Sequence, residues 1–173
     1  MSAKRGNSAN KVKELCLYAL FSALCLGLSF LESLLPLDFI APGVKLGLAN
    51  TVCVILVLKH RLKGAFAVNA VRIILAAVLF GSPVSFVFSF AAGVVSLSFT
   101  CLMMKVKALS TAAVSCAAGV VHNAVQTAVG LFFVGRGVLF YLPLLVITGG
   151  VSGLLVGIIS TLISKKIKTN PIF

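Results

Sequence analysis

A small set of polar residues interrupts otherwise apolar sequence and could bind a polar ligand. Asn69 and Arg72 are three residues apart, so they share one face of a helix. The spacings of His122, Asn123 and Gln126 place Gln126 beside both of the others on a second helix. A guanidinium group with amide and imidazole groups can recognise an anion or another hydrogen-bonding molecule. These residues therefore predict a site for ligand recognition.

Each group also has a structural interpretation. Arg72 could join helices through a carboxylate such as Glu32 or through backbone carbonyl groups, and the second group could hydrogen-bond a neighbouring helix. A charged group at the membrane centre costs about 2.5 to 3.5 kcal/mol on insertion scales, which makes a buried one a functional candidate. We therefore favour ligand contact for both groups.

The connection that leads to the second apolar run adds further polar candidates. It contains Pro36, Pro42 and Gly43, which prevent it from continuing as a helix, and it includes Lys45 and Asn50, with Glu32 just before it. Lys45 could reach the membrane surface by snorkelling. Glu32 and Asn50 lie inside apolar sequence. We predict that they line a cavity, open to the outside, together with Arg72 and the residues around position 122.

Carboxylates are too scarce for most catalytic chemistry. The chain has three acidic residues, Glu14, Glu32 and Asp38, and it has neither an aspartate-rich cluster for magnesium-bound diphosphate nor a nucleotide-binding glycine loop. It also offers no nucleophile, base and acid set. The five cysteines lie in apolar stretches without metal-ligand spacing, as packing residues do. We expect no enzymatic activity, no metal and no cofactor.

The surrounding chain is too apolar for a water-soluble globule. Hydrophobic residues make up 60% of the 173 residues before the 15 glycines are added, whereas a soluble domain has about 45 to 50% with glycine included. This composition excludes ordinary soluble folds and disorder. We expect a single transmembrane domain over residues 1–173, with a cytoplasmic polar tail at 1–13 and another at 165–173.

Hydropathy predicts an all-α bundle of six transmembrane helices. A helix needs about 20 mostly apolar residues to cross the bilayer. The expected spans are 15–35, 46–58, 64–80, 84–104, 109–134 and 138–164. The second is short, so it could be tilted, begin earlier at Pro42-Gly43, or cross only part of the membrane.

The basic residues predict an orientation for this bundle. The net charge is +12, and most lysines and arginines lie before span one, between spans two and three, between spans four and five, and after span six. The positive-inside rule then places both termini in the cytoplasm of a multi-pass cell-membrane protein. Anionic lipid headgroups, rather than nucleic acid, are the expected partners of these charges.

Small residues predict where helices touch. Gly149, Gly153 and Gly157 form a stripe on span six, which we expect to be buried because small side chains let backbones approach. Ala19 and Ala23 have the same spacing on span one. Two interpretations stay open for this pair: packing inside the bundle, or docking of another membrane subunit.

Several of these segments resemble a known family. The segments are residues 42–50 (Pro-Gly-Val-Lys-Leu-Gly-Leu-Ala-Asn), Leu31-Glu32-Ser33, residues 79–83 (Leu-Phe-Gly-Ser-Pro) and His122-Asn123-x-x-Gln126. They resemble the Gx transporter family, often labelled heptaprenyl diphosphate synthase component I. That family is similar to the substrate-binding S components of energy-coupling factor (ECF) transporters, which have six helices, cytoplasmic termini and a ligand pocket near the outer face.

The resemblance implies a bacterial cytoplasmic membrane and specific partners. S components carry an Ala-x-x-x-Ala pattern on the first helix that packs against a transmembrane coupling subunit, which works with ATPases, and Ala19 and Ala23 match that pattern. Some relatives are associated with flavin-based extracellular electron transfer. An isoprenoid, quinone-related or flavin ligand would fit these associations.

Two functions from different classes follow. The first is an S-component-like transporter subunit that captures a small anionic or amphiphilic molecule from the outer side and depends on a separate energising module. The second is a non-catalytic accessory subunit of prenyl diphosphate or quinone synthesis, or of flavin-based extracellular electron transfer. Because Asp38 is the only aspartate, any synthase role would be accessory.

Overall fold

The computed structural model describes residues 2–34 and 47–167, and every regular element in that part of the chain is helical. The elements are α1 (Ser2–Leu34), α2 (Leu48–Leu58), α3 (Leu62–Leu79), α4 (Pro83–Met103), α5 (Thr111–Phe133), a 3-10 helix (Arg136–Tyr141) and α6 (Leu142–Lys166). The predicted all-α architecture with six main helices is confirmed.

Local sequence explains where two of the helices begin. Ser82 precedes α4, and its hydroxyl oxygen accepts a hydrogen bond from the backbone N–H of Ser85 at 3.1 Å. Ser110 does the same for Ala113 at the start of α5, also at 3.1 Å. Serine is a preferred N-cap, and Pro83 fits the first turn of α4 because its missing N–H has no helical partner there.

In the part of the chain that the structure describes, five helical segments are long and apolar enough to cross a membrane, and α2 is a shorter apolar helix. The five segments are Lys11–Leu34, Leu62–Leu79, Pro83–Met103, Thr111–Phe133 and Arg136–Lys166. The 11 residues of α2 extend about 16 Å, roughly half of the hydrocarbon layer. Helix α2 therefore crosses only part of the membrane by itself, which was one of the alternatives for the second span.

Helix α1 differs most from its predicted bounds. The apolar run was expected to define a span at 15–35, but the helix begins at Ser2. Hydropathy locates the part of a helix that suits lipid, whereas polar residues such as those before position 15 can extend the same helix beyond it.

The short helix α2 lies in the middle of the bundle. It packs against α1, α3, α4 and α6, and residues 51–57 are all buried. A helix that is apolar on every side is typical of such an enclosed position. Phe21 and Cys25 from α1, Val68 from α3 and Leu97 from α4 join α2 in the main hydrophobic cluster. This arrangement fixes the position of the first turn of α2.

Helices α5 and α6 approach each other through glycines. A Cβ atom added to Gly119 would overlap the carbonyl oxygen of Gly149, and one added to Gly153 would overlap the carbonyl oxygen of Ser115. Gly149, Gly153 and Gly157 are all buried, which confirms the prediction for this stripe. The lack of side chains lets the two backbones touch, as in other membrane helix pairs.

The basic segments come together at one end of the bundle. Arg61 forms a 3.0 Å ion pair with Glu14, so the turn between α2 and α3 lies beside the first part of α1. At the same end, a Cβ on Gly157 would lie 2.7 Å from Ala112, which places the second half of α6 beside the start of α5. The basic residues at this end are Lys11, Lys13, Lys59, Arg61, Lys63, Lys105, Lys107, Lys165 and Lys166. Arg136 lies at the opposite end.

Candidate ligand-binding cavity

A cavity of about 90 Å³ lies inside the bundle. By a comparable measure a single water needs roughly 10 to 15 Å³, so the cavity has room for several waters or for a small molecule of the same total volume. Residues of α1 to α6 contribute to its wall. The predicted ligand residues among them are Glu32, Asn50, Asn69, Arg72, His122, Asn123 and Gln126. Lys45, which was also predicted, lies outside the described residues.

Arg72 is held by neutral partners. Its Nη2 donates to Oδ1 of Asn69 at 2.9 Å, and its Nη1 donates to the hydroxyl of Ser29 at 3.5 Å, the outer limit for such a bond. Its Nε is buried and has no hydrogen-bond partner among the described residues. Within that part of the chain, no carboxylate lies within ion-pair distance of the guanidinium group. The structure therefore does not support the interpretation that Arg72 joins helices through Glu32.

Asn69 is fitted into the wall by a glycine on the next helix. A Cβ on Gly93 of α4 would lie 3.0 Å from the Nδ2 of Asn69 and 2.9 Å from Ile73. Asn69 is 3% exposed, and its Oδ1 is the acceptor for Arg72. Gly93 thus leaves the space that lets Asn69 orient the arginine.

Glu32 has a role at the first turn of α2. Its Oε1 accepts a hydrogen bond from the backbone N–H of Leu48, the first residue of that helix. The preceding Gly47 has φ 72°, a left-handed conformation that glycine adopts without steric cost. The first N–H groups of a helix lack partners within the helix and carry partial positive charge, which stabilises a nearby carboxylate. Glu32 therefore links the end of α1 to the start of α2 at the cavity wall.

The three polar residues on α5 have different partners. The Nδ1 of His122 lies 3.2 Å from the hydroxyl of Ser96 on α4. The Nδ2 of Asn123 donates to the carbonyl oxygen of Leu145 on α6 at 2.6 Å, which is the helix-to-helix bond of the structural interpretation. Gln126 is buried and also lines the cavity. The wall is thus a hydrogen-bonded surface made by several helices.

Hydroxyl groups in the wall were missed by the sequence reasoning. Ser89, Ser96 and Thr100 on α4, Ser115 on α5 and Ser152 on α6 all line the cavity. The signal was present as spacing, because residues seven or eleven apart lie on one helical face. Ser115 is notable because its buried Oγ has no hydrogen-bond partner among the described residues.

The small-residue pair on α1 faces outward. Ala19 and Ala23 are both exposed, and Gly27, four residues further on, has nothing within 4 Å of its Cβ position. The interpretation that Ala19 and Ala23 pack inside this bundle is therefore wrong. On a membrane protein, that face meets lipid or another subunit.

The cavity offers recognition chemistry rather than a metal centre. Within residues 2–34 and 47–167, no group of three or more His, Cys, Asp or Glu side chains is arranged to hold a metal ion. The wall instead combines one guanidinium group, one carboxylate, an imidazole, amides and hydroxyls. These groups suit a ligand that carries an anionic group and further hydrogen-bonding atoms.

Comparison with known proteins gives one match. A family model described as heptaprenyl diphosphate synthase component I matches residues 21–163. Neither the curated proteins nor the solved structures contain a match to the chain. The matched region includes the cavity residues named above and covers most of the sequence. The resemblance inferred from the sequence motifs is therefore confirmed, and the chain belongs to the heptaprenyl diphosphate synthase component I family.

Proposed function

We propose that this protein is the membrane-embedded binding subunit of a transporter, similar to an S component, and that its cavity holds a small anionic or amphiphilic molecule. The observation that carries this proposal is the position of Arg72, whose charge lies within a membrane-spanning helix and whose hydrogen-bond partners among the described residues are neutral. The subunit captures its ligand and depends on a separate module for energy.

Arg72 has no counter-charge within ion-pair distance among the described residues. A charged group inside a membrane protein is expensive unless it is paired, and guanidinium has five N–H donors in a planar fork. The described partners of Arg72 are one amide oxygen and one hydroxyl, while its Nε stays unpaired. An anion in the cavity would supply both the charge and the missing acceptor.

The proposal also accounts for the outward face of α1. The chain has no nucleotide-binding glycine loop, so energy from ATP would have to come through another subunit. The exposed stripe of Ala19, Ala23 and Gly27 is narrow enough for close approach of a partner helix, such as one from an ECF-type coupling subunit with its ATPases. In this arrangement the basic end faces the cytoplasm, by the positive-inside rule.

The family description favours a second candidate function. A membrane accessory subunit of heptaprenyl diphosphate synthesis would bind the anionic substrate or product and leave catalysis to its partner. The scarcity of acidic residues fits binding without magnesium-dependent chemistry. Both candidates require the cavity to hold an anion, and they differ in the partner protein.

The experiment is to identify small molecules that copurify with the full chain from bacterial membranes by mass spectrometry. We expect an anionic molecule in the wild type, strong loss in Arg72→Gln and partial retention in Arg72→Lys, because lysine keeps the charge but lacks the fork. Lys107→Gln, which removes an exposed charge at the basic end, is the matched control and should retain the molecule.

One result tests the anion site that both functions require, and a second result separates the two functions. Full retention by Arg72→Gln contradicts an anion site at this arginine. Proteins recovered with the tagged chain then separate the functions: ATPase subunits support the transporter, whereas a prenyl synthase without ATPases supports the accessory role.

A further inference from the structure

Among the described residues, Ser115 is the one whose hydroxyl oxygen is fully buried without a hydrogen-bond partner. The residue as a whole is 2% exposed. By contrast, Thr100, Thr127 and Thr161 each donate to the carbonyl oxygen four residues earlier, at 2.8 to 2.9 Å. Such bonding is the usual way in which a hydroxyl is satisfied inside a helix.

Helix α6 covers one side of Ser115, and the same residue belongs to the cavity wall. A Cβ on Gly157 would lie 2.9 Å from the Cβ of Ser115, and one on Gly153 would overlap the Ser115 carbonyl oxygen. An unpaired buried hydroxyl is destabilising and uncommon, so its presence points to a hydrogen-bonding group that enters from the cavity.

Ser115 and Arg72 lie far apart along the cavity, and the distance can be followed first along α5. Ser115 precedes His122 by seven residues and Gln126 by eleven on α5, which corresponds to about 10 Å and 16 Å along the helix. His122 contacts Ser96 on α4.

The position of Arg72 completes this axis. On α4, Gly93 lies about one turn from Ser96, on the side away from Ser115, and Gly93 is beside Asn69 of α3. Arg72 is about one turn beyond Asn69 in the same direction. Arg72 and Ser115 therefore lie on opposite sides of the level of His122. The cavity wall has a guanidinium group towards one end and a neutral hydroxyl group towards the other.

We propose that the cavity binds an elongated molecule with two polar ends: an anionic group at Arg72 and a neutral hydroxyl, carbonyl or amide group at Ser115. This inference rests on the proposed function because it concerns the same cavity and the same anion. It disfavours a ligand whose second end is a prenyl tail, because a hydrocarbon end leaves the Ser115 hydroxyl unpaired. The middle of such a molecule would lie against Leu97, Ala118 and Val156, which are apolar parts of the wall.

The test uses two acids that differ only at the far end. The affinities of 10-hydroxydecanoate and decanoate for the purified full chain are measured by calorimetry. We expect the wild type to bind the hydroxy acid about fivefold more tightly, which is the usual effect of one neutral hydrogen bond. Ser115→Ala should remove this difference, and Arg72→Gln should weaken the binding of both acids.

Ser98→Ala is the matched control, because that hydroxyl is exposed and donates to the Val94 carbonyl at 2.8 Å, and it should keep the difference. Equal binding of the two acids by the wild type, or an unchanged difference in Ser115→Ala, overturns the two-ended ligand. Binding of geranyl diphosphate but of neither acid overturns it as well. In these cases the proposed function still holds if Arg72→Gln weakens the binding of the probe that does bind. It is contradicted if that probe binds equally well to the wild type and to Arg72→Gln.

Discussion

Glu32 and Arg72 are opposite charges in one cavity wall, but their surroundings give them different roles. Glu32 accepts a backbone hydrogen bond at the first turn of α2, where the helix dipole stabilises a negative charge. Within residues 2–34 and 47–167, the hydrogen-bond partners of Arg72 are the neutral groups of Asn69 and Ser29. We infer that Glu32 positions α2, while Arg72 is available to an anionic ligand.

This division predicts the effect of removing Glu32. Glu32→Ala leaves the first turn of α2 without its carboxylate, so we expect the free energy of unfolding to fall by about 1 kcal/mol, as for loss of other helix caps. Glu32→Gln should have a smaller effect, because an amide oxygen can still accept the bond. The measurement is thermal unfolding of the purified protein in detergent.

The matched control is Glu14→Ala. Glu14 pairs with Arg61, but its side chain is 49% exposed, and exposed ion pairs contribute about 0 to 1 kcal/mol. A larger loss of stability in Glu14→Ala than in Glu32→Ala would contradict the role assigned to Glu32.

At the residue scale, the sequence is informative about charged and amide groups and much less so about hydroxyls. Arg72, Asn69 and Gln126 stand out because such side chains are costly in apolar sequence. Serine and threonine do not, since their hydroxyls can bond to the preceding turn of their own helix. The exception at Ser115 depends on how α6 packs, which no local pattern reveals.

At the element scale, the helices explain why the cavity exists. Helix α2 begins inside the bundle and is shorter than a full span. Its N-cap Gly47 and its first-turn residue Asn50 therefore contribute to the cavity wall. The sequence predicted that this span is short, because the apolar run is short. Its central position is a property of packing, although its continuous run of apolar residues is consistent with burial on every side.

The contact between α5 and α6 predicts a strong effect of a small substitution. In Gly153→Ala the new methyl group overlaps the Ser115 carbonyl oxygen, which is backbone and cannot rotate away. The helices must separate, so we expect a loss of roughly 1 to 3 kcal/mol in the free energy of unfolding, the usual cost of overpacking. Thermal unfolding of the purified variant measures this loss.

Gly27→Ala is the appropriate comparison, since nothing lies within 4 Å of its Cβ position. Replacing a helical glycine with alanine there should leave stability unchanged or raise it by up to about 1 kcal/mol. Equal stability of Gly153→Ala and the wild type would show that the two helices are less closely packed than described.

At the scale of the whole molecule, the charge pattern of the sequence and the packing of the helices agree on which basic segments share one end of the bundle. The basic segments were expected on one side from their order in the sequence, and the helices bring the described ones to one end. Helix α2 extends only about half of the membrane thickness.

This arrangement predicts that both termini lie in the cytoplasm. A phosphatase that is active only outside the cytoplasm should be inactive when fused to either terminus and active when inserted after Gly137, which lies at the opposite end beside Arg136. A fluorescent protein that folds only in the cytoplasm should give the reverse pattern. The reason is the charge asymmetry, because basic segments are retained on the cytoplasmic side during insertion. Phosphatase activity at both termini would mean that the bundle is inverted, and activity at only one would mean that the chain crosses the membrane an odd number of times.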